Sequence, residues 1–564
     1  MNYIREYNKW LNNNKLDVQS KEVLINMNDT EKEDSFYTSI SFGTAGMRGI
    51  IGVGSNRFNK YTLRKANYGY AHFLTKNNKK NISVVIARDN RLLGEEFVIE
   101  CVKVLSKFNI KCYIFDDIIP TPTLSYAIRY LQADGGIVIT ASHNPKEYNG
   151  YKIYDNTGCQ LVPELANIVV NNVNNAPDYF DIEVNDYEYC VNNGYLNKVS
   201  DEVVESYIEE VTNILINKDL DKSNFSLTFS PLHGTSGKIG CKLLDKLGYK
   251  YIKVEEQFNN DPSFPTVEYP NPEDSKALTL SLEYAKKHNC DICIATDPDA
   301  DRIGVAVKDV DGTFKYLNGN EMGAIIFDYI CKNTNVKDCY MIDTIVTSNL
   351  GKAIALKHNV NNLSTFTGFK FIGQQIEYLT KNNKQFIFGY EESYGYLLKG
   401  FVRDKDSIQA LAIITELACY YKNHNKNLIQ VLNDIYSEYG FYKEDMISLT
   451  LSGSTGKKQI ENIISYFRNN TFNNINSLIV EEKIDYNEKD LIINEINLGK
   501  SDVIVFKFKN EQQVIFRPSG TEPKIKAYLS VKGNSKEEAS NKLKYLKQEI
   551  SNKINELLWL KWIL

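Results

Sequence analysis

Short apolar runs alternate with helix-like stretches through about residue 445, and several of these runs end directly in polar loops. This alternation predicts βαβ units with right-handed crossovers and a mostly parallel sheet. Three rounds of the pattern are recognisable, and we interpret them as a divergent structural repeat. Their loops lie at 140–152, 297–302 and 389–396. Because ligands collect at the carboxyl ends of strands in such sheets, these loops form the candidate site.

The pattern changes in the last part of the chain. Strand-like runs at 446–451, 478–481, 503–508, 514–516 and 525–531 are combined with helical patterns near 456–467 and 535–552. This combination predicts an α+β domain with an antiparallel sheet. The polar residues 1–40 are expected to be helical, and the apolar end, 557–564, is expected to be a helix packed on the body.

Composition excludes several classes of protein. The 564 residues are 43% hydrophobic and 24% charged, with a net charge of −5, which argues against nucleic acid or an anionic membrane as the main partner. A small anionic substrate needs only a local cationic pocket. No apolar run is long enough to span a membrane and the first residues are polar, so we expect a cytoplasmic protein. Its ten scattered cysteines are expected to be buried, reduced thiols.

Three aspartates, Asp297, Asp299 and Asp301, alternate along one loop after an apolar run. In a tightly turned loop, carboxylates at this spacing can converge on one hard cation, and oxygen-only ligands suit Mg²⁺. An EF-hand is excluded because the chain returns at once to a strand at 303–307. A solvated acidic turn is the simpler alternative, but Pro298 stiffens the loop and a buried strand precedes it.

Ser142 follows the buried strand predicted at 136–140, with His143 beside it and Lys152 nearby. The Gly-x-Ser-x-Gly pattern of a hydrolase elbow is absent. The hydroxyl could therefore be an ordinary nucleophile or a phosphate carrier, and we favour the carrier. Phosphoryl transfer requires mainly positioning and charge neutralisation, which Mg²⁺, Arg48, Lys152 and Arg302 could supply. His143 fits either a loop-ordering hydrogen bond or general acid/base catalysis.

Three further loops carry anion- or sugar-binding chemistry. The glycine-rich stretch 43–49, which includes Arg48, can approach an anion closely. Near the end of the chain, a guanidinium, two hydroxyls and a glycine turn form a possible phosphate clamp from Arg517, Ser519, Gly520 and Thr521. Glu391 and Ser393 offer a carboxylate and a hydroxyl suited to neighbouring sugar hydroxyls.

Four motifs, Thr140–Pro145, Asp297–Arg302, Gly389–Gly395 and Arg517–Pro523, together resemble the α-D-phosphohexomutase superfamily in order and spacing. The sugar loop, Gly-Tyr-Glu-Glu-Ser-Tyr-Gly-Tyr, looks most like the phosphoglucomutase-2-like branch. The resemblance implies an α/β fold with four domains around a central cleft: three related mixed α/β sandwich domains and a C-terminal α+β domain with an antiparallel sheet. We place these domains at 1–200, 201–308, 309–445 and 446–564.

The resemblance also implies roles for individual residues. Ser142 would be the phosphoserine, and Asp297, Asp299 and Asp301 would bind one Mg²⁺ per chain together with an oxygen of phospho-Ser142. Catalysis would use Ser142, His143, Lys152 and Arg48. The substrate would be held by Arg302, Lys370, Glu391, Ser393, Arg403, Arg517, Ser519, Gly520 and Thr521.

The implied reaction is reversible interconversion of glucose 1-phosphate and glucose 6-phosphate, with glucose 1,6-bisphosphate as intermediate and activator. Gly395 stands where some mannose-accepting members have His, which favours glucose. Ser407 and Lys526 stand where Gly and Arg are common. Phosphomannomutase, phosphopentomutase and a non-catalytic sugar-phosphate-binding protein remain alternatives. The expected partners are small sugar phosphates, with neither nucleic acid nor membrane, and the chain is expected to be a monomer or homodimer.

Overall fold

A computed structural model describes residues 3–43, 46–76, 79–451, 453–509, 511–518 and 523–559. The chain forms two compact units. The first comprises 1–319 and 372–427, and the second comprises 320–371 and 428–564. The predicted domain boundaries stay predictions.

The two helices predicted near 456–467 and 535–552 are present as Gly453–Asn469 and Lys536–Trp559, the second of which continues beyond its predicted end. The α-helices are Tyr3–Leu11, Val18–Asn26, Asp29–Phe36, Lys60–Thr75, Gly94–Leu105, Thr121–Tyr130, Pro163–Asn174, Tyr187–Asn192, Asp201–Thr212, Ser236–Leu247, Thr279–Lys287, Gly319–Asn333, Asn349–Lys357, Phe369–Lys381, Ser407–Asn423, Leu428–Tyr439, Gly453–Asn469 and Lys536–Trp559. Short 3₁₀ helices are Ser106–Phe108, Glu255–Gln257 and Ser275–Leu278. The predicted helical start of the chain is present.

The first unit contains a sheet built around Ser83–Arg88, a strand whose inner residues are buried. In spatial order, the described strands of this sheet are Phe42–Gly43, Gly46–Ile50, Tyr148–Asp155, Gly135–Ile139, Ser83–Arg88, Lys111–Ile114 and Leu196–Lys198. The strand Gly135–Ile139 is buried throughout, as expected for an apolar strand covered on both faces. Its Gly135 is needed for close packing, because a Cβ there would lie 2.7 Å from the main-chain oxygen of Tyr154.

The same unit contains a second sheet that carries the aspartate motif. Its described strands are, in spatial order, Phe314–Leu317, Ile303–Lys308, Ile292–Thr296, Ser226–Ser230 and Lys250–Lys253. The strands Ser226–Ser230 and Ile292–Thr296 run parallel to each other. Helix Ser407–Asn423 is buried on nearly all sides as far as Cys419, and Asp406 caps its first turn.

The prediction of a mostly parallel sheet is only partly right. Strand Gly135–Ile139 pairs with its parallel neighbour Ser83–Arg88, but also with the antiparallel strand Tyr148–Asp155. Strand Ile292–Thr296 pairs in the same way with the antiparallel strand Ile303–Lys308. A third hairpin joins Gln385–Glu391 to Gly395–Leu397. Each motif loop therefore reverses the chain between two neighbouring antiparallel strands.

In the second unit, Cys339–Thr344 pairs in parallel with Asn361–Thr365. The predicted α+β domain with an antiparallel sheet is confirmed. Its described strands are, in order, Phe441–Thr450, Lys524–Gly533, Gln512–Pro518, Ile504–Phe508, Leu478–Asp485 and Asn474–Ile475. A separate hairpin joins Ile492–Ile493 to Ile496–Asn497. Strand Lys524–Gly533 alternates strictly between buried and half-buried residues. One face of the sheet is therefore buried, and it packs against helices Gly453–Asn469 and Lys536–Trp559 to form the core of this domain.

The burial of the thiols agrees with the sequence. All ten cysteines are buried, and in the described part of the chain none is in a disulfide. Near the carboxyl end, Leu557 and Leu558 pack against the core of the antiparallel-sheet domain, as predicted, while 560–564 lie outside the described residues. None of the described helices is both long and apolar enough to cross a membrane.

Candidate active site

The Ser142 loop, residues 140–147, turns sharply at Ser142 itself. This residue has φ = 51°, a left-handed conformation that is uncommon for a residue with a side chain. The N–H of Ser142 donates to Thr140 Oγ1 (2.8 Å), and the Thr140 hydroxyl donates to Asp89 Oδ2 (2.5 Å). All three side chains are buried. These bonds hold the strained turn in place.

Arg91 holds the rest of the Ser142 loop through its main chain. Its guanidinium is completely buried and lies 3.4 Å from Asp89 Oδ2. It donates four hydrogen bonds to main-chain carbonyls, those of Ser142 (2.6 Å), Asn144 (2.5 Å), Pro145 (2.7 Å) and Tyr148 (2.8 Å). One planar cation thereby fixes both ends of the loop.

The aspartate loop, residues 297–302, is also strained. Ala300 has φ = 54° between two of the aspartates. Asp297 Oδ1 accepts from the N–H groups of Asp301 (3.1 Å) and Arg302 (3.0 Å). The loop closes on itself around this carboxylate, as short Asp-containing turns do.

The three aspartates converge as predicted. One oxygen from each of Asp297, Asp299 and Asp301 lies within 4.8 Å of the others, and all three side chains are buried. Among the described residues, Asp299 Oδ1 and Asp301 Oδ1 have no hydrogen-bond partner. A buried carboxylate oxygen without a partner costs free energy, and a divalent cation would remove that cost. The cluster is therefore suited to a hard metal ion with oxygen ligands.

Each aspartate contacts a different donor. The Ser142 hydroxyl donates to Asp297 Oδ2 at 2.8 Å. Lys152 Nζ lies 2.8 Å from Asp299 Oδ2, and Lys405 Nζ lies 3.1 Å from Asp301 Oδ2. The candidate nucleophile, the carboxylate cluster and two half-buried lysine side chains thus share one site.

The charges shift the pKa values of this cluster in opposite directions. Burial, and then the charges of Asp299 and Asp301, raises the pKa of Asp297 well above its ordinary value. Burial alone would also raise the pKa of Asp299, but Lys152 brings it below its usual range. Burial alone would lower the pKa of Lys152, but the carboxylates of Asp299 and Asp301 raise it. Lys152 is therefore an ammonium at neutral pH.

His143 lies beside the hydroxyl, with its Nδ1 3.0 Å from Ser142 Oγ. Burial and the positive charges of Arg302 and Arg48 lower the pKa of His143 well below 6.5. The imidazole is consequently neutral at neutral pH. Arg48 lies on strand Gly46–Ile50 and donates to Asn144 Oδ1 at 2.8 Å, which places it over the Ser142 loop.

Arg302 ends the aspartate loop and pairs with Glu273. Burial alone would lower its pKa, but nearby carboxylates, with Glu273 first and Glu391 among them, raise it. Glu391 is 4% exposed at the end of its strand, and Ser393 lies half-buried in the following turn. That turn contains Tyr394, which has φ = 65° and accepts from Ile303 N–H at 3.2 Å. Glu391, which was predicted to bind the sugar, thus lies close enough to Arg302 for its charge to raise the pKa of the guanidinium.

Arg403 is the remaining predicted site residue of the first unit. Arg403 is buried and its guanidinium bonds to Glu377 (3.1 Å) and Thr380 (3.3 Å). Lys370 and Arg517 belong to the second unit, on helix Phe369–Lys381 and strand Gln512–Pro518 respectively. The predicted clamp residues Ser519, Gly520 and Thr521 lie outside the described residues.

Sequence reasoning missed several residues that complete the site. Lys405 stood in the charged run 403–406, yet nothing in the pattern distinguished it from Arg403. Asp89 and Arg91 directly follow the apolar run at 83–87, which was the available signal for a strand-end site. Thr121 Oγ1, which donates to Asp299 Oδ2 at 3.1 Å, gave no signal.

Three family models match the chain in order. They describe the alpha/beta/alpha domains I, II and III of phosphoglucomutase/phosphomannomutase and match residues 39–180, 205–312 and 318–439. The chain belongs to the phosphoglucomutase/phosphomannomutase family. The predicted family and the phosphohexomutase class of enzyme are therefore confirmed.

Individual members of this family are similar over nearly the whole chain. A phosphoglucomutase of Staphylococcus epidermidis is 38% identical, with 92% of this chain and 96% of the relative covered. The open form of parafusin (phosphoglucomutase) from Paramecium has a TM-score of 0.70 at 18% identity, covering 92% and 96% of the two chains. An N-acetylphosphoglucosamine mutase of Aspergillus fumigatus, solved with GlcNAc-6P and magnesium, has a TM-score of 0.50 at 13% identity, with 92% and 96% covered. The two structural likenesses concern the fold alone.

Proposed function

We propose that this chain is a phosphoglucomutase that interconverts glucose 1-phosphate and glucose 6-phosphate through a phosphoserine at Ser142. The observation that carries the proposal is the hydrogen bond from the Ser142 hydroxyl to Asp297, inside a buried cluster of three converging carboxylates. A lone serine hydroxyl does not require three carboxylates, whereas a phosphoserine requires a cation to neutralise it. The phosphoglucomutase relatives support the same reaction.

The metal is proposed to be Mg²⁺, one per chain, held by Asp297, Asp299, Asp301 and an oxygen of phospho-Ser142. The unpartnered oxygens Asp299 Oδ1 and Asp301 Oδ1 in the described part of the site fit this donor set. When bound, the ion would draw negative charge from the phosphoryl group. The magnesium in the Aspergillus relative supports this choice.

In the proposed reaction, phospho-Ser142 gives its phosphoryl group to the free hydroxyl of the bound sugar phosphate. The bond from phosphorus to Ser142 Oγ breaks, a bond from phosphorus to the sugar oxygen forms, the sugar hydroxyl loses its proton and Ser142 Oγ gains one. The product, glucose 1,6-bisphosphate, then turns round. Its other phosphoryl group passes to Ser142 Oγ, which loses its proton while the sugar oxygen that is released gains one, and the first phosphoryl group remains on the sugar, so that the enzyme is regenerated as phosphoserine.

Two groups are candidates for accepting the proton of the sugar hydroxyl. Lys152 is held as an ammonium by Asp299 and Asp301, whereas His143 is neutral and contacts Ser142 Oγ. A neutral imidazole can accept a proton at once, but an ammonium must first lose one. These directions favour His143 as the base and Lys152 as a cation that neutralises the transferring phosphoryl group, together with Arg48 and Arg302.

Recognition of the sugar is assigned to Glu391 and Ser393, since a buried carboxylate near Arg302 can accept from two sugar hydroxyls. The roles of Lys370 and Arg403 in holding the substrate stay predictions. So does the binding of the distal phosphate by Arg517, Ser519, Gly520 and Thr521. Cytoplasmic location and the oligomeric state stay predictions as well.

A substrate panel tests the proposal. Glucose, mannose and ribose 1-phosphates are each incubated with the enzyme, Mg²⁺ and the corresponding bisphosphate, and formation of the isomeric phosphate is followed. We expect the highest kcat/KM with glucose 1-phosphate. Faster turnover of mannose or ribose 1-phosphate would reassign the substrate, and absence of turnover with all three would favour a non-catalytic binding protein.

A further inference from the structure

Three segments that are remote in sequence hold the aspartate loop through its main chain. Three successive carbonyls of this loop each accept a hydrogen bond from a different segment. The bonds run from Thr235 N–H to Pro298 O (2.8 Å), from Thr121 N–H to Asp299 O (2.9 Å) and from Ser407 N–H to Ala300 O (3.3 Å). The loop that carries the carboxylates is therefore shaped by contacts outside its own sequence.

Ser407 adds a second and shorter bond to the same place. Its hydroxyl donates to Ala300 O at 2.6 Å, and both residues are buried, Ser407 at 1% and Ala300 at 0% exposure. Ser407 is the first residue of the buried helix Ser407–Asn423, whose capping residue is Asp406. The hydroxyl is thus presented to the loop by a rigid helix end.

The acceptor of this bond lies at the strained point of the loop. Ala300 has φ = 54°, a conformation that costs an L-residue free energy and persists only where neighbouring contacts impose it. It stands between Asp299 and Asp301, so its conformation determines whether those two carboxylates point to one centre. The unpartnered oxygens of the described cluster belong to these same two residues.

We propose that Ser407 is a positioning residue for the divalent cation. Its hydroxyl fixes the left-handed turn at Ala300, and that turn brings the Asp299 and Asp301 oxygens together before the ion binds. The inference rests on the proposed metal site. Without the hydroxyl, the Ser407 N–H still holds Ala300, but the carbonyl loses its shorter donor, and the free energy that this bond supplied for ordering the turn must then come from metal binding.

Metal affinity measured without sugar phosphate tests this inference directly. Mn²⁺ binding is followed by the loss of the free-ion signal in electron paramagnetic resonance for the full-length wild type, Ser407→Ala and Ser407→Thr. A neutral hydrogen bond has a net worth of about 1 kcal/mol, so Ser407→Ala should bind Mn²⁺ about fivefold more weakly. Ser407→Thr, which keeps a hydroxyl, should recover most of the affinity.

Ser106→Ala is the matched control. Ser106 is 2% exposed, and its hydroxyl also donates to a main-chain carbonyl, that of Lys103 at 3.0 Å, while accepting from Asn185 Nδ2 at 3.0 Å. It follows helix Gly94–Leu105, and its hydroxyl has no hydrogen bond to the described aspartate loop. We expect this variant to lose thermal stability as Ser407→Ala does, with unchanged Mn²⁺ affinity.

Equal Mn²⁺ affinity of folded Ser407→Ala and wild type would overturn the inference and leave the proposed function intact. Equal weakening in Ser106→Ala would also overturn it, since the effect would then be general. Failure of the wild type itself to bind Mn²⁺ or Mg²⁺ would instead overturn the proposed metal site. Should Ser407→Ala not fold, Ser407→Gly replaces it with the same expected fivefold change.

Discussion

The Ser142 loop and the aspartate loop are built from the same topological unit but are held in different ways. Each joins a central parallel strand to an antiparallel neighbour and contains a non-glycine residue at positive φ. The Ser142 loop is held by one buried side chain, that of Arg91, which donates hydrogen bonds to four main-chain carbonyls in the loop and at the start of the next strand. The aspartate loop is held by hydrogen bonds from three remote segments, those at Thr121, Thr235 and Ser407.

This difference means that one remote segment controls the Ser142 loop, whereas several control the aspartate loop. The position of Ser142 depends on the segment that contains Asp89 and Arg91, which binds Thr140 and the main chain of the loop from about fifty residues away. The position of the carboxylates depends on segments near Thr121, Thr235 and Ser407, which must all be folded before the loop has its shape. We therefore expect damage at Arg91 to act on one loop, whereas metal affinity should respond to changes in several parts of the first unit.

The largest expected effect comes from removing the hydroxyl. Ser142→Ala deletes the proposed phosphate carrier while the backbone bond from its N–H to Thr140 can persist. We expect turnover to fall by about 10⁴-fold or more, as for other covalent nucleophiles, with little change in thermal stability. Coupled-assay kinetics and thermal denaturation check this. Activity within tenfold of the wild type would contradict the role of Ser142.

The next largest effect is expected from removing the guanidinium of Arg91, which holds the Ser142 loop. Arg91→Met leaves Asp89 buried without its cation and four carbonyls without a donor. Removing one partner of a buried ion pair typically costs about 3–5 kcal/mol. We therefore expect Arg91→Met to have a markedly lower melting temperature than the wild type and to lose turnover.

Lys198→Ala is the control for Arg91→Met, because Lys198 pairs with Asp116 on the surface and exposed pairs contribute little. Metal affinity should survive in Arg91→Met if the protein is still folded. A loss of metal binding as large as the loss of turnover would show that the two loops are not independent.

A smaller effect is expected at the aspartate loop. Asp299→Asn removes one charge from the cluster and the nearer of the two carboxylates that pair with Lys152. Loss of an outer-shell partner of a metal ligand costs about 10–100-fold in metal affinity, so loss of a ligand should cost at least the upper end of that range. Titration with Mn²⁺ measures it. Wild-type affinity in Asp299→Asn would remove this residue from the metal site.

The smallest effect concerns pH and the helix that supports the aspartate loop. Burial raises the pKa of Asp406, whose Oδ1 accepts from Ile408, Gln409 and Tyr207, to about 6. A raised carboxyl pKa means that the folded state holds its proton more tightly than the unfolded state. Stability from this group is full below about pH 4 and is lost as the pH rises through about 6.

Asp406→Asn isolates this contribution, since asparagine can still cap the helix but does not titrate. The stability of the wild type relative to Asp406→Asn should fall by at most about 3 kcal/mol between pH 4 and pH 7, given 1.36 kcal/mol per pKa unit. Thermal denaturation of both proteins at each pH measures the difference. A constant difference would show that Asp406 keeps its ordinary pKa.

Features that depend on one contiguous stretch of residues could be predicted from the sequence. The spacing of Asp297, Asp299 and Asp301 after an apolar strand predicted their convergence, and the loop at Ser142 was found in the same way. The α+β character of the last domain followed from its strand periodicity. These features depend on local order, which short patterns record.

Contacts between distant residues were not predictable in the same way. Nothing near Lys405 indicates that it reaches Asp301, and nothing near Ser407 indicates a bond to Ala300. The antiparallel return after each motif was also missed, because an apolar run reads alike whichever way its neighbour runs. Positive φ at Ala300 and Ser142 gave no signal, since neither residue is the glycine that usually marks such turns.

The central claim is that Ser142 carries a phosphoryl group, and intact-mass analysis tests it most directly. The wild type and Ser142→Ala are incubated with glucose 1,6-bisphosphate and Mg²⁺, and the masses and modified peptides are compared. The account predicts one phosphoryl group on the wild type, located at Ser142, and none on Ser142→Ala. An unmodified wild type, or a phosphoryl group at the same level in both proteins, would contradict it.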